Sequence, residues 1–396
     1  MIFKRDIQAA LLKYAAFPTV AILGPRQSGK TTLARNVFSK HTFVSFDDIA
    51  VRNFATEDPW GFFKTYDNPH GIIIDEFQYV PTITSYIKQL VDSNKRPGYF
   101  ILTGSENFLM NFAITESLAG RIGILHLLPL SLHEMSANGL LSDSVTLTMY
   151  NGSYPRIYND HLEPEQWYPS YIQSYVERDV RQLVHVGNLA TFTRFLSLCA
   201  GRIGQLLNLQ ALALECGISG PTAKSWLSLL QASYVIFLLE PHFNNFNKRL
   251  VKTPKLYFYD TGLACSLLRI NSAQSLDLSV FKGPLFESLI ISDLYKQYCN
   301  RGMRPSVYFW RDRGGAHEVD CILDEGSNKY PIEIKSSHTI TSQFFSGVDY
   351  WNEIANNPSD HGYIVYAGTQ KQKRTRGNVV GWKDAGTLLE TILNNR

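Results

Sequence analysis

The sequence has little cysteine, little net charge and no long apolar run. Its five cysteines (Cys199, Cys216, Cys265, Cys299, Cys321) are odd in number and widely spaced, with no CxxC pair or Cys/His cluster. That excludes a zinc framework or a disulfide scaffold and points to a reducing compartment. Lysine and arginine outnumber aspartate and glutamate by 38 to 35, a net charge of +3. Such a balance is too mild to announce a nucleic-acid binder, and it leaves room for a local basic patch. No apolar stretch approaches the ~18 residues that cross a bilayer. The opening MIFKRDIQAALLKYAAF places Lys4, Arg5, Asp6 and Lys13 where a signal peptide needs unbroken apolar residues. These absences predict a cytoplasmic protein with no membrane partner. Glycine (27) and proline (17) stand at ordinary levels, while 44% of residues are hydrophobic and 18% charged. Collagen-like and disordered classes are thereby excluded, and large cores are available. At ~150 residues per domain the length predicts two to three domains.

In the first third, short apolar runs alternate with helical stretches. Strands are expected at 19–23, 43–46, 72–75, 99–103 and 124–128. Strands alternating with helices predict an α/β fold with a parallel sheet covered on both faces. From about 168 to 226 the period turns helical. Between 209 and 239 the order is helix, tight turn at Gly217, a second helix opened by Ser219 and Pro221, then a strand. A second strand at 256–259 follows a polar loop with Asn244, Asn245, Lys248, Arg249 and Lys252. Helix–turn–helix with a β-wing is the winged-helix pattern. A third, α/β segment has a helix at 283–298 and strands at 307–310, 318–323, 330–335 and 363–366. The predicted division is 1–150, 151–262 and 263–396.

Residues Gly24, Pro25, Arg26, Gln27, Ser28, Gly29, Lys30 and Thr31 fit G-x-x-x-x-G-K-[ST] at every fixed position, with an apolar strand before and helix-forming Thr32, Leu33 and Ala34 after. Gly24 and Gly29 let the backbone curl so that N–H groups point at phosphate oxygens, and the helix N-terminus adds its positive dipole. ATP and Mg2+ are the expected cofactors: Lys30 reaches the β/γ-phosphates and the Thr31 hydroxyl ligates the metal. In IIIDE, Asp75 ends a buried strand where it can support Mg2+, and Glu76 can polarise the attacking water. Thr103 and Ser105, at the end of the next strand, are candidate γ-phosphate sensors, against the ordinary role of such residues in turns. Arg121 in SLAGRIG is a candidate arginine finger or sensor, against a solvated arginine.

In the third segment EVD (318–320) precedes a turn and IEIKSS (332–337). Glu333 and Lys335 share one strand face, roughly 6–7 Å apart along the chain. Asp320 on the preceding strand and Glu287 on the preceding helix can meet them. Asp320, Glu333 and Glu287 as Mg2+ ligands with Lys335 orienting water suits metal-assisted phosphodiester cleavage. A surface hairpin with alternating charges reads the same way.

The pieces GPRQSGKTT, IIIDEFQ, LTGSEN, SLAGRI, LPLSLHE, YVERDVRQL, TPKLYFYDTGLA, GPLFESLI, EVDCIL and IEIKSS, in this order, resemble the prokaryotic AAA+-like ATPases with domain of unknown function 4143. The resemblance implies an ATPase core, a winged helix and a domain similar to the PD-(D/E)xK nuclease fold. In that fold Glu287, Asp320, Glu333 and Lys335 take the acid, acid and E-x-K positions. Many domains of this fold bind without cutting. Arg121, Arg178 and Arg181 remain rivals for the arginine finger. DNA and a homo-oligomer are the implied partners, with Lys224, Lys248, Arg249, Lys252 and Lys255 as candidate phosphate contacts or simply solvated lysines and arginine. The other reading is a STAND-like, ATP-dependent regulatory switch that binds DNA or protein without nuclease activity.

Overall fold

The computed structural model describes residues 2–105, 118–176, 189–242, 252–312 and 314–394. They form two compact units. The first comprises Met1–Pro129, Ala232–Tyr234 and Cys299–Met303, and the second the remainder.

In the first unit, β1 (Thr19–Leu23), β3 (Ile72–Asp75) and β4 (Phe100–Gly104) are buried at every position. Strands without an exposed face belong inside a parallel sheet covered by helices. With β2 (Thr42–Ser45) and β5 (Ile122–His126) they form an all-parallel sheet in the order β2-β3-β4-β1-β5. Helix α1 (Lys30–Val37) buries Leu33 and Ala34, and α2 (Ile83–Ser93) buries Ile83, Ile87 and Val91 at helical spacing. The chain leaves β1 toward β2 and leaves β4 toward β5, in opposite directions along the sheet. A crevice therefore opens at the carboxyl ends of these two neighbours, where ligands of open α/β sheets sit. The register Ser45↔Asp75↔Thr103 and Leu23↔Gly104 brings the loop after β1 and the ends of β2, β3 and β4 to that edge.

The main core of the second unit runs from Trp167, Phe192 and Trp226 to Cys321, Ile332 and Val365, with smaller clusters around Phe345 and Ile364 and around Trp310 and Trp351. Helix α3 (Leu209–Cys216) starts at Asn208, whose side chain accepts from the Ala211 N–H at 3.0 Å, and stops at Gly217 with φ 72°. Helix α4 (Gly220–Ala232) buries Trp226 and Leu230. Strands β6 (Ile236–Leu239) and β7 (Lys255–Phe258) pair antiparallel. Lys248 and Arg249, between them, lie outside the described residues.

After helix α5 (Lys282–Asn300), strands β8 (Val307–Arg311), β9 (Glu318–Glu325), β10 (Asn328–Lys335), β11 (Tyr363–Tyr366), β12 (Gln372–Arg374) and β13 (Gly377–Gly381) form a mixed sheet in the order β12-β13-β11-β10-β9-β8. β8, β9 and β10 run antiparallel, and β10, β11 and β13 parallel. Helix α6 (Ser346–Ala355) packs on β9 and β10. The basic run Lys371, Lys373, Arg374 and Arg376 lies on the β12–β13 edge hairpin, where Arg376 pairs with Asp349 at 2.7 Å. Among the described residues no helix is long and apolar enough to cross a membrane.

Candidate functional site

The loop after β1 curls through left-handed backbone at Gln27 (φ 66°) and at Gly29 (φ 93°), the residue that opens α1. At Gly24 a Cβ would come within 2.1 Å of the Leu127 carbonyl oxygen, so only glycine fits. The Ser28 hydroxyl is buried without a hydrogen-bond partner, as expected of a cradle built for an acceptor-rich ligand. Lys30 is 5% exposed, and its Nζ donates to the carbonyls of Gly24 (2.9 Å) and Pro25 (2.7 Å). Thr31, one residue into α1, donates its hydroxyl to Asp75 Oδ1 at 2.7 Å. The Thr103 hydroxyl donates to the same oxygen, and Ser45 Oγ to Oδ2 at 3.3 Å. Glu76 adopts a left-handed backbone (φ 52°) that turns it out of the strand line. Its Oε2 accepts from Gln78 Nε2 and from Ser105 Oγ at 3.3 Å. Adjacent carboxylates thus enter two different groups, Asp75 with the hydroxyls and Glu76 with Ser105 and Gln78. These residues fit a nucleotide with a divalent ion: a loop bent at glycines carries a buried lysine, and a threonine hydroxyl meets the first of two adjacent carboxylates.

Arg121 corrects the sequence reading. It sits at the amino end of β5, where its carbonyl accepts from the Thr19 N–H at 3.3 Å, five residues of strand from the loop. At about 3.3 Å per residue that is about 16 Å from the phosphate cradle of its own chain. Its guanidinium instead grips Asp92 through Nε–Oδ1 (2.6 Å) and Nη2–Oδ2 (3.0 Å). Its rivals Arg178 and Arg181 lie outside the described residues.

In the second unit Asp320, Glu333 and Lys335 do come together. Lys335 Nζ lies 2.5 Å from Glu333 Oε1 and 3.5 Å from Asp320 Oδ2, which also accepts the Ile334 N–H at 2.9 Å. Glu287 is held differently: Lys255 Nζ lies 3.2 Å from its Oε1, and the Tyr257 hydroxyl donates to the same atom. Lys255 also lies 2.5 Å from Glu318 Oε1, and Arg311 Nη1 3.4 Å from Glu318 Oε2. Burial, with the charge of Asp320, pushes the Glu287 carboxyl above the usual range against the pull of Lys255. Burial and Asp320 likewise push Glu333 up to about 8. Two corrections follow. Lys255, expected among solvent-facing phosphate contacts, is 4% exposed and internal, whereas Lys224 and Lys252 are exposed. Glu287, Asp320 and Glu333 do not assemble as one metal site. Among the described residues no group of three His, Cys, Asp or Glu is set to hold an ion, because the two lysine ammoniums divide the carboxylates between them.

Residues 16–136 match an AAA domain family, 142–274 a domain of unknown function (DUF8612) and 282–384 another (DUF4143). Two uncharacterized proteins, of Mycobacterium bovis and Mycobacterium tuberculosis, are each 30% identical over 346 residues, 86% of this chain and 75% of theirs. The chain belongs to the AAA+-like ATPases that carry domain 4143. Among solved structures this family member resembles the Walker-type ATPase of Pyrococcus abyssi (16% identical, TM-score 0.45, covering 68% of this chain and 96% of that one). It also resembles the Thermotoga maritima RuvB Holliday junction branch migration motor (17% identical, TM-score 0.29, covering 59% and 85%).

In this AAA+-like chain, sequence reasoning missed Arg5, whose Nη1 and Nη2 donate to the carbonyls of Ser28 (2.7 Å) and Leu128 (2.6 Å) and so brace the phosphate loop. Its partners are backbone atoms 23 and 123 residues away, which leave no local pattern. Glu318 was findable: with Asp320 it stands at i and i+2 of β9, on one face. The raised Glu333 carboxyl predicts a pH dependence. Between an ordinary carboxyl near ~4.3 and about 8, the folded chain keeps a proton that the unfolded chain releases, so stability falls as pH rises across that window. Melting temperature measured from pH 5 to 9 should fall less steeply in Glu333→Gln than in the wild type. Parallel curves would place the proton elsewhere.

Proposed function

We propose that this chain binds ATP with Mg2+ at the carboxyl ends of β1 and β4 and hydrolyses it, as an ATP-driven switch whose second unit acts on nucleic acid. The observation that carries this reading is the meeting of the Thr31 and Thr103 hydroxyls on Asp75, beside a separate Glu76–Ser105–Gln78 group. Backbone N–H groups from Gly24 to Thr32, including Pro25's neighbours Arg26, Gln27 and Ser28, surround the phosphates, and Lys30 exchanges its two carbonyl partners for phosphate oxygens. Thr31 and Asp75 hold the divalent ion, which offsets charge developing on the phosphates. Glu76 polarises the attacking water, with Ser105 orienting it near the γ-phosphate. Phosphate release by the purified full chain, with Mg2+ and with a chelator, tests the reading; no ATP-dependent release above the chelated control overturns it.

For the second unit, the succession of α3, α4, β6 and β7 supports a winged helix, and the mixed sheet with Asp320, Glu333 and Lys335 supports a nuclease-like fold. Exposed Lys224 and Lys252 suit phosphate contacts. Filter binding of duplex and single-stranded DNA across a salt series should give weak binding that falls steeply with salt. No retention at low salt would favour protein docking. The position of Lys255 favours the second reading, a STAND-like regulatory switch that binds without cutting, because Glu287 already has a cation.

A further inference from the structure

The stretch TPKLYFYDTGLA is absorbed by neither the phosphate loop nor the E-x-K pair. It contributes β7, on which Lys255 and Tyr257 stand two residues apart and so face the same way. Both reach Glu287 on α5. The lysine ammonium also meets Glu318 on β9, two residues before Asp320 on the same strand face. Four carboxylates from α5, β9 and β10 are therefore served by two ammoniums, Lys255 for Glu287 and Glu318, Lys335 for Asp320 and Glu333. Glu333 Oε2, in the same cluster, is buried without a hydrogen-bond partner.

A cation at the position of Lys255 Nζ has carboxylate oxygens at 2.5 and 3.2 Å. Oxygen-seeking divalent ions sit about 2.0–2.6 Å from such ligands, so a small contraction would suit one. A lysine buried to this depth is costly unless its charge is needed, since an apolar residue of similar volume is often neutral or stabilising at a buried ion pair.

We infer that Lys255 is the resident cation of the C-terminal acidic site: its ammonium takes the place of a divalent metal ion, keeps the site metal-free, and hides a metal site made of Glu287, Glu318 and Asp320. This differs from the Mg2+ site implied by the nuclease-like resemblance, and it stands whether or not the chain hydrolyses ATP. It concerns what the carboxylates hold, not which polymer the domain contacts.

The test uses the full chain without nucleotide and Mn2+ as the probe, with bound ion read by loss of the free Mn2+ electron-spin-resonance signal. Asp320→Asn in each background subtracts ions bound elsewhere. The wild type should show no Asp320-dependent Mn2+, whereas Lys255→Met should gain about one equivalent per chain that Asp320→Asn removes. Removing the lysine leaves Glu287 without its ammonium and Glu318 with Arg311 alone, and can cost the fold. The double variant Lys255→Met/Glu318→Gln removes one charge of each sign and keeps Glu287 and Asp320 for the ion. It should gain the same equivalent, together with a rise in melting temperature on adding Mn2+ that the wild type lacks. Asp320-dependent Mn2+ in the wild type overturns the inference. So does a folded variant, single or double by near-ultraviolet circular dichroism, that gains none.

Discussion

Replacing Lys30 by alanine should abolish measurable ATP binding. The side chain is almost wholly buried at the first turn of α1, and its ammonium already donates to the Gly24 and Pro25 carbonyls. A charge held there, beside the N–H groups of Gly29 to Thr31, is the largest favourable term for a polyphosphate at this end of the helix. Charge-assisted hydrogen bonds contribute about 1.5–3 kcal/mol each, and a tenfold change in affinity corresponds to about 1.4 kcal/mol. Losing two of them therefore costs on the order of a hundredfold to ten-thousandfold in affinity, enough to move binding out of the range of a calorimetric titration. Alanine also removes a donor from the Gly24 and Pro25 carbonyls, so the melting temperature of the variant must be measured beside its affinity. A folded Lys30→Ala chain that binds ATP as well as wild type would remove the basis for reading this loop as a phosphate cradle.

The nucleotide half was legible because its chemistry is local. Gly24, Gly29, Lys30 and Thr31 must be close in sequence to shape one loop, and an apolar run ending in Asp75 marks a strand end whose neighbours follow from the parallel sheet. Even there the distant parts did not show. Arg5 reaches the loop through backbone carbonyls, and Arg121 had the right neighbourhood but lies at the wrong end of its strand. The C-terminal half was legible as geometry and misleading as chemistry. Period-two spacing does put Glu333 and Lys335 on one face, and Asp320 does come from the adjacent strand. What spacing cannot give is which cation each carboxylate meets. Lys255 arrives from a strand 63 residues before Glu318 and sits inside, where its sequence context of Lys252 and Thr253 reads as a solvated loop. The edge strand β12 was missed for a simpler reason: Gln372–Arg374 contains no apolar residue and so has no hydrophobic period.

Glutamine at position 76 should separate binding from chemistry. Glu76 and Asp75 are neighbours in sequence but not in role, because the left-handed backbone at Glu76 turns its carboxylate toward Ser105 and Gln78. Asp75 stays in line with β3 and accepts from Thr31, Thr103 and Ser45. An amide at 76 keeps the size and still offers an oxygen to Ser105, so the cradle and the divalent-ion position are undisturbed and ATP affinity should change by only a few-fold. It cannot polarise water as a carboxylate does, and removing such a group typically lowers the rate about 10²–10⁴-fold. Asp75→Asn should behave in the opposite sense. It trades one acceptor for a donor among three hydroxyls, so more Mg2+ is needed for half-maximal nucleotide binding, and the hydrolysis defect shrinks as Mg2+ is raised. Single-turnover hydrolysis measured across a Mg2+ titration distinguishes the two, since excess metal rescues Asp75→Asn and leaves Glu76→Gln slow. If both variants lose ATP binding equally and neither responds to Mg2+, the two carboxylates act together on the fold of the loop, and the division of labour drawn from their hydrogen bonds is wrong.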